Sequence, residues 1–131
     1  MILGVGIDII EVARIENSYA RFGERFLERI LRPGEIKYCL SHKAPGPFLA
    51  ARFAAKEAIS KAFGTGIGAQ LAWQDMEVGR KESGEPFVIL HDKGQTLLQA
   101  RGGTALRISL SHTQSHATAV AILESDHAVV S

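Results

Sequence analysis

Phe48-Leu-Ala-Ala-Arg-Phe-Ala-Ala-Lys-Glu-Ala-Ile-Ser-Lys-Ala-Phe63 is the stretch on which the fold turns. Alanine, leucine and lysine lose little side-chain freedom in a helix, and no glycine or proline interrupts the run. Pro47 suits a first-turn position and Gly64 a left-handed stop. The run therefore predicts one long helix from about 48 to 63. Upstream, residues 42–47 form a Pro/Gly loop. Three shorter helices precede it, at about Glu35–Leu40, Glu24–Leu31 and Val12–Phe22, set apart by Pro33-Gly34 and Gly23. Residues 2–10 are β-rich and apolar on both faces, which predicts a buried strand. Downstream come the loop Gly64-Thr-Gly-Ile-Gly68 and strands at about Met76–Arg80 and Phe87–Leu90, joined by a Ser83-Gly84 turn. A helix at about Lys93–Ala100 follows, then strands at about Arg107–Ser111 and Ala117–Leu123 with a five-residue turn. This order predicts a single α+β domain over 1–131, a mainly antiparallel sheet packed against the long helix. The stretch 124–131 reads as a peripheral tail.

Composition narrows the function classes. The chain has 131 residues, 46% hydrophobic and 22% charged, an ordinary globular balance. A net charge of +1 argues against bulk nucleic-acid binding. No apolar run reaches the ~20 residues that span a bilayer, so no membrane role is expected. The N-terminus lacks a basic region ahead of its apolar stretch and does not read as a signal peptide. Cys39 is the one cysteine. It allows no internal disulfide, fits a reducing cytoplasm and reads as a small buried hydrophobe.

Five features carry possible chemistry. Asp8 interrupts an apolar run and needs a partner, either water at a strand end or a cation. In the long helix, Arg52 and Lys56 are four apart, as are Glu57 and Lys61, so each pair shares a face. By themselves these are solvated rows. Taken with Asp8, Glu57 completes a pair of carboxylates that strand–helix packing can bring together. Two carboxylates with open positions suit Mg²⁺, and the cations of the same helix would face its phosphates. The glycines of Gly64–Gly68 let a backbone approach a phosphate, or simply end the helix. Ser109-Leu-Ser-His112 alternates like a strand and offers hydroxyls and an imidazole, with no hydrolase elbow around Ser111. Arg14, Arg21, Arg25, Arg29 and Arg32 recur at near-helical spacing with Phe22 and Phe26 between them. They form either a solvated face or a docking surface for an acidic partner.

In combination these segments resemble a known family. Gly4-Val-Gly-Ile-Asp-Ile-Ile-Glu-Val-Ala-Arg-Ile-Glu16, Phe53-Ala-Ala-Lys-Glu-Ala-Ile-Ser-Lys-Ala-Phe-Gly64 and Ser109-Leu-Ser-His112 are similar to three signature segments of the holo-acyl-carrier-protein synthases, in the same order and spacing. The Gly84-Glu-Pro86 turn matches a fourth element. The resemblance implies a 4'-phosphopantetheinyl transferase-like fold. It also implies transfer of the phosphopantetheine arm of coenzyme A to a serine of apo acyl carrier protein, in fatty acid biosynthesis, with adenosine 3',5'-bisphosphate released.

Site roles follow from the same resemblance. Asp8 and Glu57 match the magnesium ligands, and Lys61 a lysine on the coenzyme phosphates; these three are the implied catalytic residues. Arg52, Lys56, Gly64, Pro86, Ser109, Ser111 and His112 fall on or near segments lining the coenzyme A site. Arg14, Arg21 and Arg25 fall where the acyl carrier protein docks. The short type of the family is implied to assemble as a homotrimer with sites between subunits. Glu57 and a metal-bound water are the candidate bases for the serine proton. Arg32 stands where a capping Thr is common in the family, which predicts a weaker start for the helix after it. The rival readings are a coenzyme- or nucleotide-binding module, a metal-dependent phosphohydrolase and a structural interaction protein.

Overall fold

The computed structural model describes residues 1–127. Strand β1 (Ile2–Glu11) leads into helices α1 (Val12–Phe22), α2 (Glu24–Ile30), α3 (Pro33–Leu40) and α4 (Gly46–Phe63). A 3-10 turn (Trp73–Asp75) precedes the hairpin β2 (Met76–Arg80) and β3 (Pro86–Leu90). Helix α5 (Lys93–Ala100) and strands β4 (Ala105–His112) and β5 (His116–Glu124) complete the chain. One sheet has the order β1-β5-β4 and the other is the β2-β3 pair; every pairing is antiparallel. The α+β expectation holds, with the sheet divided in two.

Boundaries move for local reasons. Helix α3 starts at Pro33, not Glu35, because the Glu35 carboxylate accepts the Arg32 amide at 2.8 Å and supplies the cap that Arg32 lacks. Gly23 (φ 65°) breaks α1 from α2, and Gly64 (φ 80°) ends α4 in the left-handed region. The β4–β5 turn is shorter than expected, since His112 pairs with Ala117 and the Thr113 amide donates to the His116 carbonyl. Ser125–His127 is tied down, not frayed. Met1 and Ser125 exchange hydrogen bonds, the Asp126 amide donates to Thr104 Oγ1 at 2.9 Å, and Ser125 is buried. The rest of the expected tail lies outside the described residues.

Helix α4 is the centre of the molecule. Leu49, Ala50, Ala54, Ala55, Ala58 and Ile59 have no exposure, and β1, β5 and β4 cover one side of it. Small side chains allow close packing, and β1 goes further. A Cβ added at Gly4 or Gly6 would overlap the carbonyl oxygens of Ala62 and Ala58. These two glycines let the strand lie directly on the helix backbone. Gly6→Ala therefore costs about 2 kcal/mol by overpacking, read as a lowered melting temperature; an unchanged value would refute the close approach.

The strand expected to be buried on both faces is buried on one. Gly6 and Ile10 face α4, while Val5, Ile7 and Ile9 are more than half exposed. In register with them stand Ile122, Val120 and Thr118 of β5. The result is a continuous, largely apolar sheet face that none of the described residues covers.

Candidate active site

The approach of β1 to α4 delivers Asp8 to the last turns of the helix. Lys61 Nζ donates to Asp8 Oδ1 at 3.1 Å and to the Ile7 carbonyl at 2.9 Å. Asp8 is mostly shielded, with 17% of its side chain exposed against 51% for Lys61. Glu57 lies one turn before Lys61. Burial pushes its carboxyl pKa up, and the negative charge of Asp8 adds to the push, while Lys61 opposes both. Two carboxylates thus stand close enough to repel, and the ammonium bonded to Asp8 attracts both. Relief of that repulsion is what a hard cation offers. Among the described residues no group of three or more His, Cys, Asp or Glu side chains converges. The candidate donor set is this pair, and two carboxylates would suit Mg²⁺, an ion that keeps waters and completes its shell with phosphate oxygens.

A cleft of about 220 Å³ opens farther along α4, lined by Arg52, Arg80, Pro86, Ser111 and His112 together with Phe48. Arg52 is 4% exposed, and its Nε is buried without a hydrogen-bond partner. Its guanidinium lies over the Tyr38 ring at 4.3 Å, and Glu35 stands 4.0 Å from Nε. A guanidinium bordering a polar cleft is suited to an anion. Of the expected coenzyme contacts, Arg52, Pro86, Ser111 and His112 come together here. Ser109 does not line the cleft. It pairs with Val120 on the exposed sheet face.

One expected phosphate contact is corrected. Lys56 does not face a phosphate: it is wholly buried, and its ammonium donates to Glu35 Oε1 (2.8 Å), the Ile30 carbonyl (2.8 Å) and the Trp73 carbonyl (3.2 Å). All three protons are taken by oxygens of the protein. Burial lowers its pKa, against the opposing pull of Glu35. Gly64 acts as a helix stop. The amides of Gly64, Thr65 and Gly66 return to the carbonyls of Lys61 and Ser60, and that of Gly68 goes to Leu71. None of these four amides is left for a ligand.

Arg14, Arg21 and Arg25 are exposed, as expected of a docking surface. Arg21, Phe22, Arg25, Phe26 and Arg29 line a groove of about 560 Å³, and Arg21 lies 5.0 Å over the Phe22 ring. Arg32 leaves the stripe, because its Nη1 donates to the Gln74 carbonyl at 2.7 Å. Cys39 is buried, and its thiol is pushed up to about 11, so it is inert at neutral pH.

Sequence reading missed Glu35, Tyr38 and Arg80. For Glu35 a signal existed: Pro33-Gly34-Glu35 puts an acidic residue at the third helical position, where it caps. For Tyr38 and Arg80 no local signal exists, since their meeting depends on how the β2-β3 hairpin sits against α3.

The comparisons with known proteins agree with this geometry. A sequence model of the 4'-phosphopantetheinyl transferase superfamily matches residues 4–121. A holo-[acyl-carrier-protein] synthase of Koribacter versatilis is 51% identical over 124 residues, covering 95% of this chain and 99% of that one. The enzyme of that name from Moorella thermoacetica is 48% identical over 123 residues, covering 94% of each. Among solved structures, holo-[acyl-carrier-protein] synthase from Neisseria meningitidis superposes with a TM-score of 0.88 at 33% identity, covering 95% of this chain and 99% of that chain. The Helicobacter pylori enzyme in complex with coenzyme A superposes at 0.82 and 36% identity, covering 92% and 99%. Both the matched length and the relatives' identity place this protein: the chain belongs to the 4'-phosphopantetheinyl transferase superfamily.

Proposed function

We propose that this protein is a holo-[acyl-carrier-protein] synthase that moves 4'-phosphopantetheine from coenzyme A to a serine of apo acyl carrier protein. Adenosine 3',5'-bisphosphate leaves, and the product serves fatty acid biosynthesis in the cytoplasm. The observation that most supports the reading is the cluster of Asp8, Glu57 and Lys61 on one seam, along the same helix as an arginine cleft. Asp8 and Glu57 would hold magnesium, which as a Lewis acid offsets charge on the phosphate oxygens. Lys61 is half exposed and free to swing its ammonium from Asp8 to a phosphate oxygen of the coenzyme. The serine oxygen forms its bond to the β-phosphorus as the bond to the bisphosphate leaving group breaks. Glu57 is one acceptor for the serine proton, and burial raises its basicity. Arg52, Ser111 and His112 with Arg80 seat the other phosphate end of the coenzyme.

The acidic carrier docks on the groove of Arg21, Phe22 and Arg25, with Arg14 on the preceding turns of α1. Arg21→Glu is expected to raise the KM for carrier protein about tenfold while the KM for coenzyme A stays within twofold. Equal effects on both substrates would remove the docking assignment. Three copies assemble through the bare sheet face of Val5, Ile7 and Ile9, which is larger and more apolar than an isolated surface residue explains. The number three follows from the family resemblance; light scattering that returned a monomer mass would remove it.

The deciding experiment is intact-mass spectrometry of an apo carrier protein incubated with this protein, coenzyme A and Mg²⁺. A gain of one phosphopantetheine, lost on chelation and with Asp8→Ala, supports the reading. Coenzyme hydrolysis without a carrier adduct would point instead to a phosphohydrolase.

A further inference from the structure

The ammonium of Lys61 rests on oxygens of the kind a hard cation takes. It donates to Asp8 Oδ1 at 3.1 Å and to the Ile7 carbonyl at 2.9 Å, a carboxylate and a backbone carbonyl side by side on β1. Mg²⁺ draws on the same oxygen chemistry. Glu57 feels both partners, since the charge of Asp8 raises its pKa and that of Lys61 lowers it. One tethered charge thus offsets part of the repulsion between the two carboxylates. The tie is a loose one. Lys56, on the same helix, is fully buried and gives all three of its protons to protein oxygens. Among the described residues Lys61 bonds to two oxygens, and half of its side chain lies in solvent. A flexible stem carrying an exposed ammonium leaves such a pair at small cost.

We infer that Lys61 is a tethered counter-ion that holds the metal-binding oxygen of Asp8, so that Mg²⁺ must displace its ammonium to bind. This rests on the magnesium pair of the proposed function. A seat held by its own counter-ion binds metal more weakly, in proportion to the fraction of time it stands open. Between two carboxylates a divalent ion is attracted more strongly than a monovalent ammonium, which makes the exchange favourable once metal is present. The exchange also couples two events at one side chain: metal arriving at Asp8 sends the Lys61 ammonium outward, where the coenzyme phosphates can take it.

The test is calorimetric titration of Mg²⁺ into the full chain without coenzyme, with nuclear magnetic resonance of the Lys61 Cε–Nζ group alongside. Lys61→Met is expected to bind Mg²⁺ about tenfold more tightly than wild type, because nothing holds Asp8 in advance. Lys61→Gln, also uncharged, is expected to follow it. In wild type the Lys61 group is expected to be restricted in motion without metal. At saturating Mg²⁺ it should become as mobile as in Asp8→Ala, which sets the signal of a released ammonium. Wild type binding Mg²⁺ as tightly as both Lys61 variants would overturn the inference. So would tighter binding in the variants while the wild-type Lys61 signal is unmoved by Mg²⁺, because the charge would then repel the ion from a distance without leaving Asp8. Should both variants melt too low to titrate, the wild-type signal decides: release by Mg²⁺ supports the inference and no release overturns it. No binding of Mg²⁺ by wild type or either variant would overturn the magnesium pair of the proposed function, and the inference with it.

Discussion

Glu57→Gln is expected to leave the fold intact and to remove about 100-fold or more of the magnesium-dependent transfer rate. The side chain is only partly buried, and among the described residues no hydrogen bond hangs on its carboxylate. Its pKa is raised in the folded protein, so the ionised form carries a small stability penalty at neutral pH. The folded state binds its proton more readily than the unfolded chain. Replacing the carboxylate with an amide removes that penalty together with the repulsion from Asp8, so the melting temperature should hold or rise slightly. What is lost is half of a two-carboxylate donor set, and the metal concentration for half-maximal rate should climb as the rate falls. Transfer kinetics against Mg²⁺ and a thermal melt check both halves. Near wild-type turnover with Glu57→Gln would sink the metal assignment.

Glu35→Ala should have the opposite signature, with stability collapsing first. The carboxylate accepts from the Arg32 amide, the Val78 amide and the fully buried Lys56 ammonium, so one side chain joins α3, β2 and α4. Removing it strands a buried cation, at a cost of about 3–5 kcal/mol. For a domain of this size that lowers the melting temperature by more than about 10 °C. pH provides a second readout. Burial lowers the Lys56 pKa below its ordinary 10.5 in the folded protein. Between the folded and unfolded values the unfolded chain binds more protons, so stability rises with pH across that window. Without Glu35 the Lys56 pKa falls further and the rise becomes steeper. Glu35→Leu combined with Lys56→Met should recover more than half of the loss, because a packed apolar pair replaces a buried ion pair at little cost. A double variant no more stable than Glu35→Ala would refute the ion-pair account.

Both predictions turn on charged side chains of α4 and the partners they meet, and they mark where sequence reading stops. Arg52, Lys56 and Lys61 lie at helical spacings that read alike. Their fates diverge completely: Lys61 reaches Asp8 at the surface, Lys56 disappears into the core, and Arg52 lies buried over the Tyr38 ring beside a cleft. Helical periodicity reports which residues share a face. It does not report what lies against that face, and Glu35, 21 residues away in sequence from Lys56, is what lies there. The bare face of β1 has the same explanation. Val5, Ile7 and Ile9 look like core residues along the chain, and only the packing reveals that none of the described residues covers that side of the strand.

From its sequence alone this protein was determined to be an α+β domain built on one alanine-rich helix. The same reading showed Asp8 as an anomaly in an apolar strand and Glu57 and Lys61 as neighbours on the helix. Those features are local, carried by propensity, glycine and proline punctuation, and residue spacing. Tertiary structure alone decided that Gly4 and Gly6 let β1 lie on α4 so that Asp8 meets Lys61, that Lys56 belongs to Glu35, and that Arg52 and Arg80 meet over the Tyr38 ring. The reason is physical: the energy of a charge depends on its partners and its distance from water, and both are set by segments far apart along the chain.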